Sequence, residues 1–368
     1  MTRFAFIIHP LSTRDVARKY PFARFVPGAL VEAAMRRKKP MVLSKIDGIR
    51  SATGATTEGW FIGCPLTPKQ MMTMPIEEVY ARIGECAQMA HELGAQVIGL
   101  GAFTSVVGDG GVTVAERAKI AVTTGNSYTV ATAIEGTLRA CEMLDFAPQS
   151  GVLAVVGATG AIGKTCAKVL ARSFGKTILV GRDLARTQAV ADEIPGAIAT
   201  TDVEAIREAD AVVAVSSAEE AIIMPDHLKP GAVVCDVARP RDVSRRVAKE
   251  RPDVLVIEGG VVEVPGDVRF NFNFGFPDKT AYACMSETML LALEDRPVSY
   301  TLGKDVSVEQ VDEMFALARK HGFRLAGFRS FEKATDPAAI ERARAARRLS
   351  EPPAPPAAQT KMAGALDK

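Results

Sequence analysis

Residues 152–183 read VLAVVGATGAIGKTCAKVLARSFGKTILVGRD, and this stretch decides the fold. An apolar run leads into Gly157, Gly160 and Gly163, and a segment with helical spacing then leads into a second apolar run. The pattern GATGAIG departs from GxGxxG because its middle glycine lies one place later. Since it follows a predicted strand and begins a predicted helix, it indicates a dinucleotide-binding strand-helix-strand unit. The alternative is a structural turn without a ligand.

The strand after this turn bears on the choice of cofactor. It ends in Arg182, where NAD-binding proteins usually carry an acidic residue for the ribose hydroxyls, and an arginine fits a 2′-phosphate. We therefore predict NADPH, the alternative being an exposed arginine with Asp183 serving the ribose. Two serines end a later predicted strand, where they either lie beside the cofactor or make turn hydrogen bonds. The predicted cofactor-binding residues are Gly157, Ala158, Thr159, Gly160, Ala161, Ile162, Gly163, Arg182, Asp183, Ser216 and Ser217.

The rhythm of apolar runs predicts the fold class. From Val152 onward, the runs LAVVG, TILVG, AVVAVS, AVVCDV and VLVIEGG alternate with helical patterns, which is typical of a parallel sheet covered on both faces. Upstream, a strand is predicted at Phe4–Ile8 and helices over residues 75–93 and from 123–129 to about 144. We predict an α/β protein, with a Rossmann-type doubly wound parallel sheet and a second α/β substrate-binding domain.

Proline and glycine positions divide the chain into four segments. Pro148 and Gly151 mark the first boundary, and Pro277 precedes a long helical pattern. The predicted segments are a substrate domain (1–148), the Rossmann domain (149–277), C-terminal helices packing between the domains (278–330) and a tail (331–368). The Pro- and Ala-rich end of the tail, EPPAPPAAQTKMAGALDK, has a composition typical of disorder.

Composition excludes several function classes. The chain has 368 residues, 48% hydrophobic and 24% charged, with a net charge of +2, so it is expected to be globular and without a nucleic-acid partner. No apolar run approaches the roughly 18 residues of a transmembrane helix and no leader is recognised, so we expect a cytoplasmic protein. Six cysteines without CxxC pairs predict reduced thiols, and neither they nor the four histidines have metal-ligand spacing, so no metal is expected.

Cys284 is the candidate nucleophile because it follows the nucleotide domain near the start of a predicted helix. If that helix begins around Pro277 and Asp278, Cys284 lies about two turns in, and the helix N-terminus lowers its pKa only modestly. The alternative is a core cysteine, since Met285 and Thr288 share its predicted face. The glycine- and hydroxyl-rich loops at 104–105 and 126–128 are candidate donors for a developing oxyanion, or else they satisfy their own backbone.

The chain resembles the long-chain acyl-[acyl-carrier-protein] reductases, which form fatty aldehydes. The matching stretches are LGAFTSVV (100–107), TTGNSYT (123–129), VVGATGAIG (155–163), LVGRD (179–183), IEGGVVE (257–263), AYACMSETMLL (281–291) and KHGFR (320–324). The resemblance implies that residues 1–148 bind an acyl group, that NADPH is the reductant and that Cys284 forms an acyl thioester. Tyr128 stands where the family has histidine and Thr288 where it has a second cysteine, which puts the proton donor in doubt. Tyr128 and Ser105 complete the candidate catalytic set.

Two enzymatic functions remain open on the sequence, and a third possibility is a regulator that binds NADP without turnover. The first is reduction of an acyl-carrier-protein or CoA thioester to an aldehyde through Cys284, with an aldehyde-consuming enzyme and a second copy of this chain as candidate partners. The second is a dehydrogenase like shikimate or amino-acid dehydrogenases, which reduces a free carbonyl without a covalent step. Loss of Cys284 should abolish only the first activity.

Overall fold

The computed structural model describes residues 1–13, 15–16, 21–331 and 333–350. The strands are β1 (Phe4–Ile8), β2 (Met41–Arg50), β3 (Thr56–Gly63), β4 (Val97–Gly99), β5 (Ala121–Thr123), β6 (Val152–Val156), β7 (Lys176–Val180), β8 (Ile198–Thr200), β9 (Ala211–Ala214), β10 (Val233–Asp236), β11 (Leu255–Glu258), β12 (Val261–Glu263), β13 (Gly266–Arg269), β14 (Thr280–Tyr282), β15 (Arg324–Leu325), β16 (Arg329–Ser330) and β17 (Lys333–Ala334). The α-helices are α1 (Gly28–Arg36), α2 (Pro68–Thr73), α3 (Ile76–Glu92), α4 (Phe103–Val106), α5 (Val112–Arg117), α6 (Asn126–Met143), α7 (Ala161–Leu170), α8 (Leu184–Ala191), α9 (Val247–Glu250), α10 (Ala283–Leu293), α11 (Val308–His321) and α12 (Pro337–Ser350). Short 3-10 helices cover Pro21–Phe25, Pro148–Ser150, Val203–Glu208 and Pro225–His227.

Strands β6 to β11 form the second lobe, a sheet in the order β11-β10-β9-β6-β7-β8 with all pairs parallel. The order reverses between β6 and β9, so the carboxyl ends of these two strands flank the crevice in which open α/β sheets bind ligands. The four residues of β9 are all buried, as expected for a strand covered on both faces. The predicted Rossmann-type doubly wound sheet is confirmed.

The first lobe contains a mixed six-stranded sheet in the order β13-β2-β3-β1-β4-β5. Its central strand β1 runs parallel to β3 and β4, whereas β2 is antiparallel to β3. Helix α3 packs one face on this sheet through residues such as Val79 and Ile83, which are fully buried. Helix α10 packs against β1 and β4.

Two helices join the lobes. Helix α6 begins just after β5 of the first sheet and then packs along α7 and β10 of the second. Helix α10 packs on α6 as well as on the first sheet, and ten of its eleven residues are buried. The N-termini of α6 and α10 lie close together, because Gly125 just before α6 contacts Cys284 at the start of α10.

The chain crosses back to the first lobe earlier than the boundary expected at residue 277. Strand β13 pairs with β2 of the first sheet, so the Rossmann sheet ends with β11 at Glu258. A further small sheet, β14-β12-β15, covers the crossing. Glycine permits the crossing because Gly266 has φ +98° and a Cβ there would lie 2.5 Å from the carbonyl oxygen of Gly48.

The C-terminal segment also differs from the expectation of a tail from residue 331. Helix α12 covers Pro337–Ser350 and is anchored by Arg347, which pairs with the buried Asp210 at 3.2 Å. The predicted disordered stretch, residues 351–368, lies outside the described residues.

Candidate active site

A cavity of about 2040 Å³ lies between the lobes and is lined by residues of both. Its walls include Ile8, the last residue of β1, and the residues His9 after β1, Gly157 after β6 and Ser216 after β9. These positions follow the carboxyl ends of parallel strands, where open α/β sheets place their ligands. The predicted nucleotide turn and Cys284 both line this cavity.

The glycine-rich turn has the geometry that a pyrophosphate requires. Gly157 has φ +88°, and a Cβ at this position would lie 2.8 Å from the backbone nitrogen of Ser216. A Cβ on Gly163 would lie 2.3 Å from the carbonyl oxygen of Gly157, so that glycine serves close packing of α7 on the turn. Helix α7 begins at Ala161 without a side-chain cap, which leaves its first N–H groups for an anion.

Most of the predicted cofactor-binding residues line the cavity, and three do not. Those on the cavity wall are Gly157, Thr159, Gly160, Ala161, Ile162, Arg182, Ser216 and Ser217. Ala158 is fully buried and Gly163 packs against the turn. Asp183 is the N-cap of α8, where its carboxylate accepts the Arg186 N–H at 3.1 Å.

Two arginines make the ribose end of the cavity basic. Arg182 and Arg186 both line it, and the Arg182 side chain forms no ion pair with the residues that the structure describes. One oxygen of the Asp183 carboxylate is engaged as a helix cap, and Asp183 does not line the cavity. This arrangement fits the 2′-phosphate of NADPH.

Ser216 is held rigidly at the strand end. Its N–H and hydroxyl donate to the two carboxylate oxygens of Asp242 at 2.7 and 2.5 Å. Asp242 is fully buried, and burial is the main cause that raises its pKa. The Ser216 hydroxyl is therefore fixed by Asp242, which sequence reasoning missed.

Cys284 lies in the first turn of α10, which corrects the expectation that it would be two turns in. Residues Thr280–Tyr282 form β14 against β12, so the helix begins only at Ala283, with Tyr282 as its N-cap. The side chain of Cys284 is half-buried and lines the cavity, whereas the other five cysteines are buried. Cys64 is the other cysteine on the cavity wall.

The thiol of Cys284 is not a ready thiolate. Burial raises its pKa to about 12, and hydrogen bonding from the Met285 N–H opposes this shift. The Glu287 carboxylate raises the pKa further, while the Arg239 guanidinium lowers it. The expected lowering by the helix N-terminus is therefore outweighed by desolvation.

The TTGNS loop, residues 123–127, packs directly against Cys284. Gly125 has φ +76°, and a Cβ there would lie 2.3 Å from both Cα and Cβ of Cys284. The next residue, Asn126, begins α6 and lines the cavity, as does Thr129. The Asn126 side-chain amide has no hydrogen-bond partner among the described residues.

Glu287, one turn after Cys284, fixes this loop to α10. Its carboxylate is fully buried and accepts the Thr123 hydroxyl at 2.5 Å, the Tyr128 N–H at 2.9 Å and the Thr301 hydroxyl at 3.1 Å. Burial is the main cause that raises its pKa. The signal in the sequence was a lone carboxylate in the apolar run AYACMSETMLL.

The other two catalytic candidates are placed differently. Tyr128 is buried in the hydrophobic core and is not among the cavity-lining residues, because its position on α6 points the ring into packed side chains. Burial raises its pKa. Ser105 does line the cavity, but its hydroxyl donates to the Ala102 carbonyl at 2.7 Å.

Two further cavity residues were not predicted. His9 accepts the Phe103 N–H at its Nε2 at 3.2 Å, and burial lowers its pKa to about 4, so it is neutral. Arg239 donates from Nε to the Tyr282 hydroxyl at 3.2 Å and lies 5.4 Å from the centre of that ring. Arg239 thus brings a positive charge to the start of α10.

One part of the first-lobe wall of the cavity is apolar and rich in methionine. Its side chains form what we call the methionine arm: Met35, Met41, Leu43, Met71, Met72, Met74 and Ile76. Phe272 and Phe274, from the segment after β13, line the cavity as well. This arm can hold an unbranched apolar chain.

Within the described ranges, no group of three or more His, Cys, Asp or Glu side chains is arranged to hold a metal ion. None of the helices in the described part of the chain is sufficiently long and apolar to span a membrane.

Known proteins are similar to this chain over the second lobe and, in two cases, over most of its length. The family model for shikimate / quinate 5-dehydrogenase matches residues 145–258. The chain is 24% identical over 327 residues to the long-chain acyl-[acyl-carrier-protein] reductase of Synechococcus elongatus, covering 84% of this chain and 94% of that protein. It is 30% identical over 310 residues to aminotransferase PigE of Serratia sp., covering 82% of this chain. The chain spans only 36% of the length of PigE.

Two solved structures show a weak likeness to the chain. L-tryptophan dehydrogenase from Nostoc punctiforme has a TM-score of 0.40 and 13% identity, covering 94% of this chain and 88% of that one. Glutamyl-tRNA reductase from Methanopyrus kandleri has a TM-score of 0.29 and 23% identity, covering 49% of this chain and 46% of that one. The glycine-rich turn and the family match over residues 145–258 show that the Rossmann lobe binds NADP(H).

Proposed function

We propose that the protein reduces an acyl thioester to an aldehyde with NADPH, through an acyl group carried on Cys284. The observation that carries the proposal is the position of Cys284 in the first turn of α10, on the wall of the cavity that also contains the glycine-rich turn. The similarity to the long-chain acyl-[acyl-carrier-protein] reductase over most of both chains supports the same chemistry.

In the first step, the Cys284 sulfur attacks the thioester carbonyl carbon. A new carbon–sulfur bond forms, the bond to the carrier sulfur breaks, and the thiol proton leaves with the carrier thiol, so that the charge balances. When bound at the glycine-rich turn and Arg182, NADPH supplies a hydride for the acyl carbon. Cleavage of the bond to Cys284 then releases the aldehyde, and the cysteine takes up a proton.

Activation of the thiol has to come from the surroundings of α10. Since the pKa of Cys284 is about 12 in the free protein, only a small fraction is thiolate at neutral pH. The Arg239 charge and the Met285 N–H oppose that shift and are the groups that stabilise a thiolate. Below that pKa, the thiolate fraction, and with it the rate of acyl transfer, rises about tenfold per pH unit.

The developing oxyanion needs donors beside Cys284, and the start of α6 offers them. Asn126 lines the cavity next to Gly125, which touches Cys284, and its amide is without a partner among the described residues. We assign the oxyanion contact to Asn126 instead of Tyr128, whose side chain does not line the cavity, or Ser105, whose hydroxyl is engaged.

The methionine arm is the proposed site of the acyl chain. It contains little polar surface, and flexible thioether side chains adapt to chains of different length. Either an acyl-carrier protein or CoA can be the thioester carrier. An aldehyde-consuming enzyme and a homo-oligomer remain proposed partners.

A second candidate is a dehydrogenase that reduces a free carbonyl without a covalent step. The match of residues 145–258 to the shikimate / quinate 5-dehydrogenase model favours it. In that reaction Cys284 would only line the cavity, so its removal would change affinity and not abolish turnover.

The two candidates are separated by NADPH consumption with fatty acyl thioesters. We expect Cys284→Ser to lose activity by at least about 1000-fold while NADPH still binds, because an alkoxide is a far poorer leaving group than a thiolate. The matched control is Cys64→Ser, the other cavity cysteine, which should retain activity. Full activity in Cys284→Ser would reject the covalent route and favour the dehydrogenase.

A further inference from the structure

Residues 21–30, which precede the residues of the methionine arm in the chain, expose large apolar side chains. Phe22 and Phe25, on the 3-10 helix Pro21–Phe25, are 67% and 80% exposed, and Leu30 on α1 is 61% exposed. In a 3-10 helix, residues three apart lie on the same face, so the two rings project together. We call residues 21–39 the lip.

The lip is fixed to the first lobe and borders the cavity. Arg36 pairs with Glu78 of α3 at 2.5 Å, and the Arg82 guanidinium donates to the carbonyl oxygens of Arg36 and Lys38 at 3.0 and 2.7 Å. Met35 lines the methionine arm from the inner face of α1. The exposed apolar residues are therefore held at the edge of that arm.

The lip is also basic. Residues 21–39 contain five basic side chains, Arg24, Arg36, Arg37, Lys38 and Lys39, against one acidic residue, Glu32. Arg37 and Lys39 are exposed and form no ion pair with any residue that the structure describes. The Arg24 guanidinium lies 4.9 Å from the centre of the Phe25 ring, so charge and aromatic surface occupy one patch.

Aromatic and aliphatic side chains mixed with lysine and arginine are the chemistry that binds the surface of an anionic bilayer. Charge alone would also attract an acidic protein. Phenyl rings this exposed are better matched by the lipid interface, which takes up apolar side chains while phosphates meet the basic ones. We propose that the lip docks on an anionic lipid surface, so that the methionine arm is presented to the membrane.

Sedimentation with vesicles tests this without turnover, so its failure and that of the proposed reductase are distinguishable. We expect the full chain to bind phosphatidylcholine vesicles that contain phosphatidylglycerol and to bind pure phosphatidylcholine weakly. Phe25→Ser with Leu30→Ser should reduce binding at least about tenfold, since buried apolar surface and charge act together. Arg37→Glu with Lys39→Glu should reduce it similarly.

Matched controls lie on the other lobe. Leu184→Ser removes a leucine that is 54% exposed, and Lys249→Glu reverses an exposed charge, and neither should change binding. Thermal unfolding of each variant checks that it is folded. The proposal is overturned if the unmodified chain does not bind anionic vesicles, or if the lip variants bind as well as the controls. Binding of an acyl-carrier protein through the same residues, without vesicle binding, would also overturn it.

Discussion

The two walls of the cavity recognise ligands by different means. The Rossmann wall uses backbone and fixed charge. Gly157 and Gly163 allow the backbone of the turn and of helix α7 to pack closely, and Arg182 supplies a positive charge. The first-lobe wall uses side chains, several of them methionines that can change rotamer. The Rossmann wall is therefore built for one ligand, whereas the first-lobe wall can accommodate different ligands.

Between these walls lies a junction that is built from neither a ligand-binding backbone turn nor adaptable apolar side chains. The TTGNS loop and the start of α10 meet there, held by the buried Glu287 carboxylate, and Gly125 allows the loop to touch Cys284. A reaction at Cys284 depends on this spacing. Changes at the junction should therefore have larger effects than changes on either wall.

After loss of Cys284 itself, the largest effect is expected for Gly125→Ala. The new Cβ would lie 2.3 Å from Cα and Cβ of Cys284, so the loop or the cysteine must move. A shift of about 1 Å at a reacting group costs on the order of 100-fold in rate. We expect such a loss of turnover, measured with a saturating acyl thioester.

The control for this variant is Gly196→Ala. Gly196 has φ +74°, close to the +76° of Gly125, but a Cβ there would meet nothing within 4 Å. Both variants incur left-handed backbone strain of about 1–2 kcal/mol, and only one disturbs the junction. Equal turnover in the two variants would show that contact with Cys284 does not matter.

A smaller effect is expected on the Rossmann wall. Arg182→Ala should weaken NADPH binding about 10- to 100-fold and leave NADH binding nearly unchanged, because a charge-assisted hydrogen bond to the 2′-phosphate is lost. Fluorescence titration of both cofactors measures this. Arg172→Ala, an exposed arginine that does not line the cavity, should alter neither affinity, and a parallel loss of NADH would contradict the assignment.

The smallest effect is expected on the methionine arm. Leu43→Trp adds bulk to the arm and should shift the preferred acyl length toward shorter chains by several-fold, since each buried methylene contributes about 0.8 kcal/mol. The matched control is Val42→Trp, the neighbouring strand residue, which is 42% exposed and does not line the cavity. A length profile that is unchanged in Leu43→Trp would place the chain elsewhere.

The second lobe could be predicted from the sequence because its signals are local. Each strand of the parallel sheet is a short continuous apolar run, and the glycine-rich turn occupies a few adjacent residues. The start of α10 could not be predicted so well. Residues 280–282 pair with β12, and this tertiary pairing overrides the helical pattern that runs through DKTAYACMSETMLL.

The candidate site was predicted only in part for the same reason. Cys284 and the turn line one cavity, but Tyr128 is buried in the core, and Asp183 caps a helix. His9 and Arg239 come from distant parts of the chain, and no local pattern marks them, whereas Glu287 is marked only by its position in an apolar run. The methionines of the first lobe are spread over residues 35–74, so their common wall follows only from the fold.

The most direct test of the central claim is intact-mass measurement after the protein is incubated with a fatty acyl thioester in the absence of NADPH. We expect one acyl adduct per chain, mapped to Cys284 by peptide analysis. It should form faster as pH rises, because the pKa of this thiol is about 12. Addition of NADPH should discharge the adduct as aldehyde. No adduct, or an adduct on Cys64 that NADPH discharges, would contradict the assignment of Cys284 as the residue that carries the acyl group.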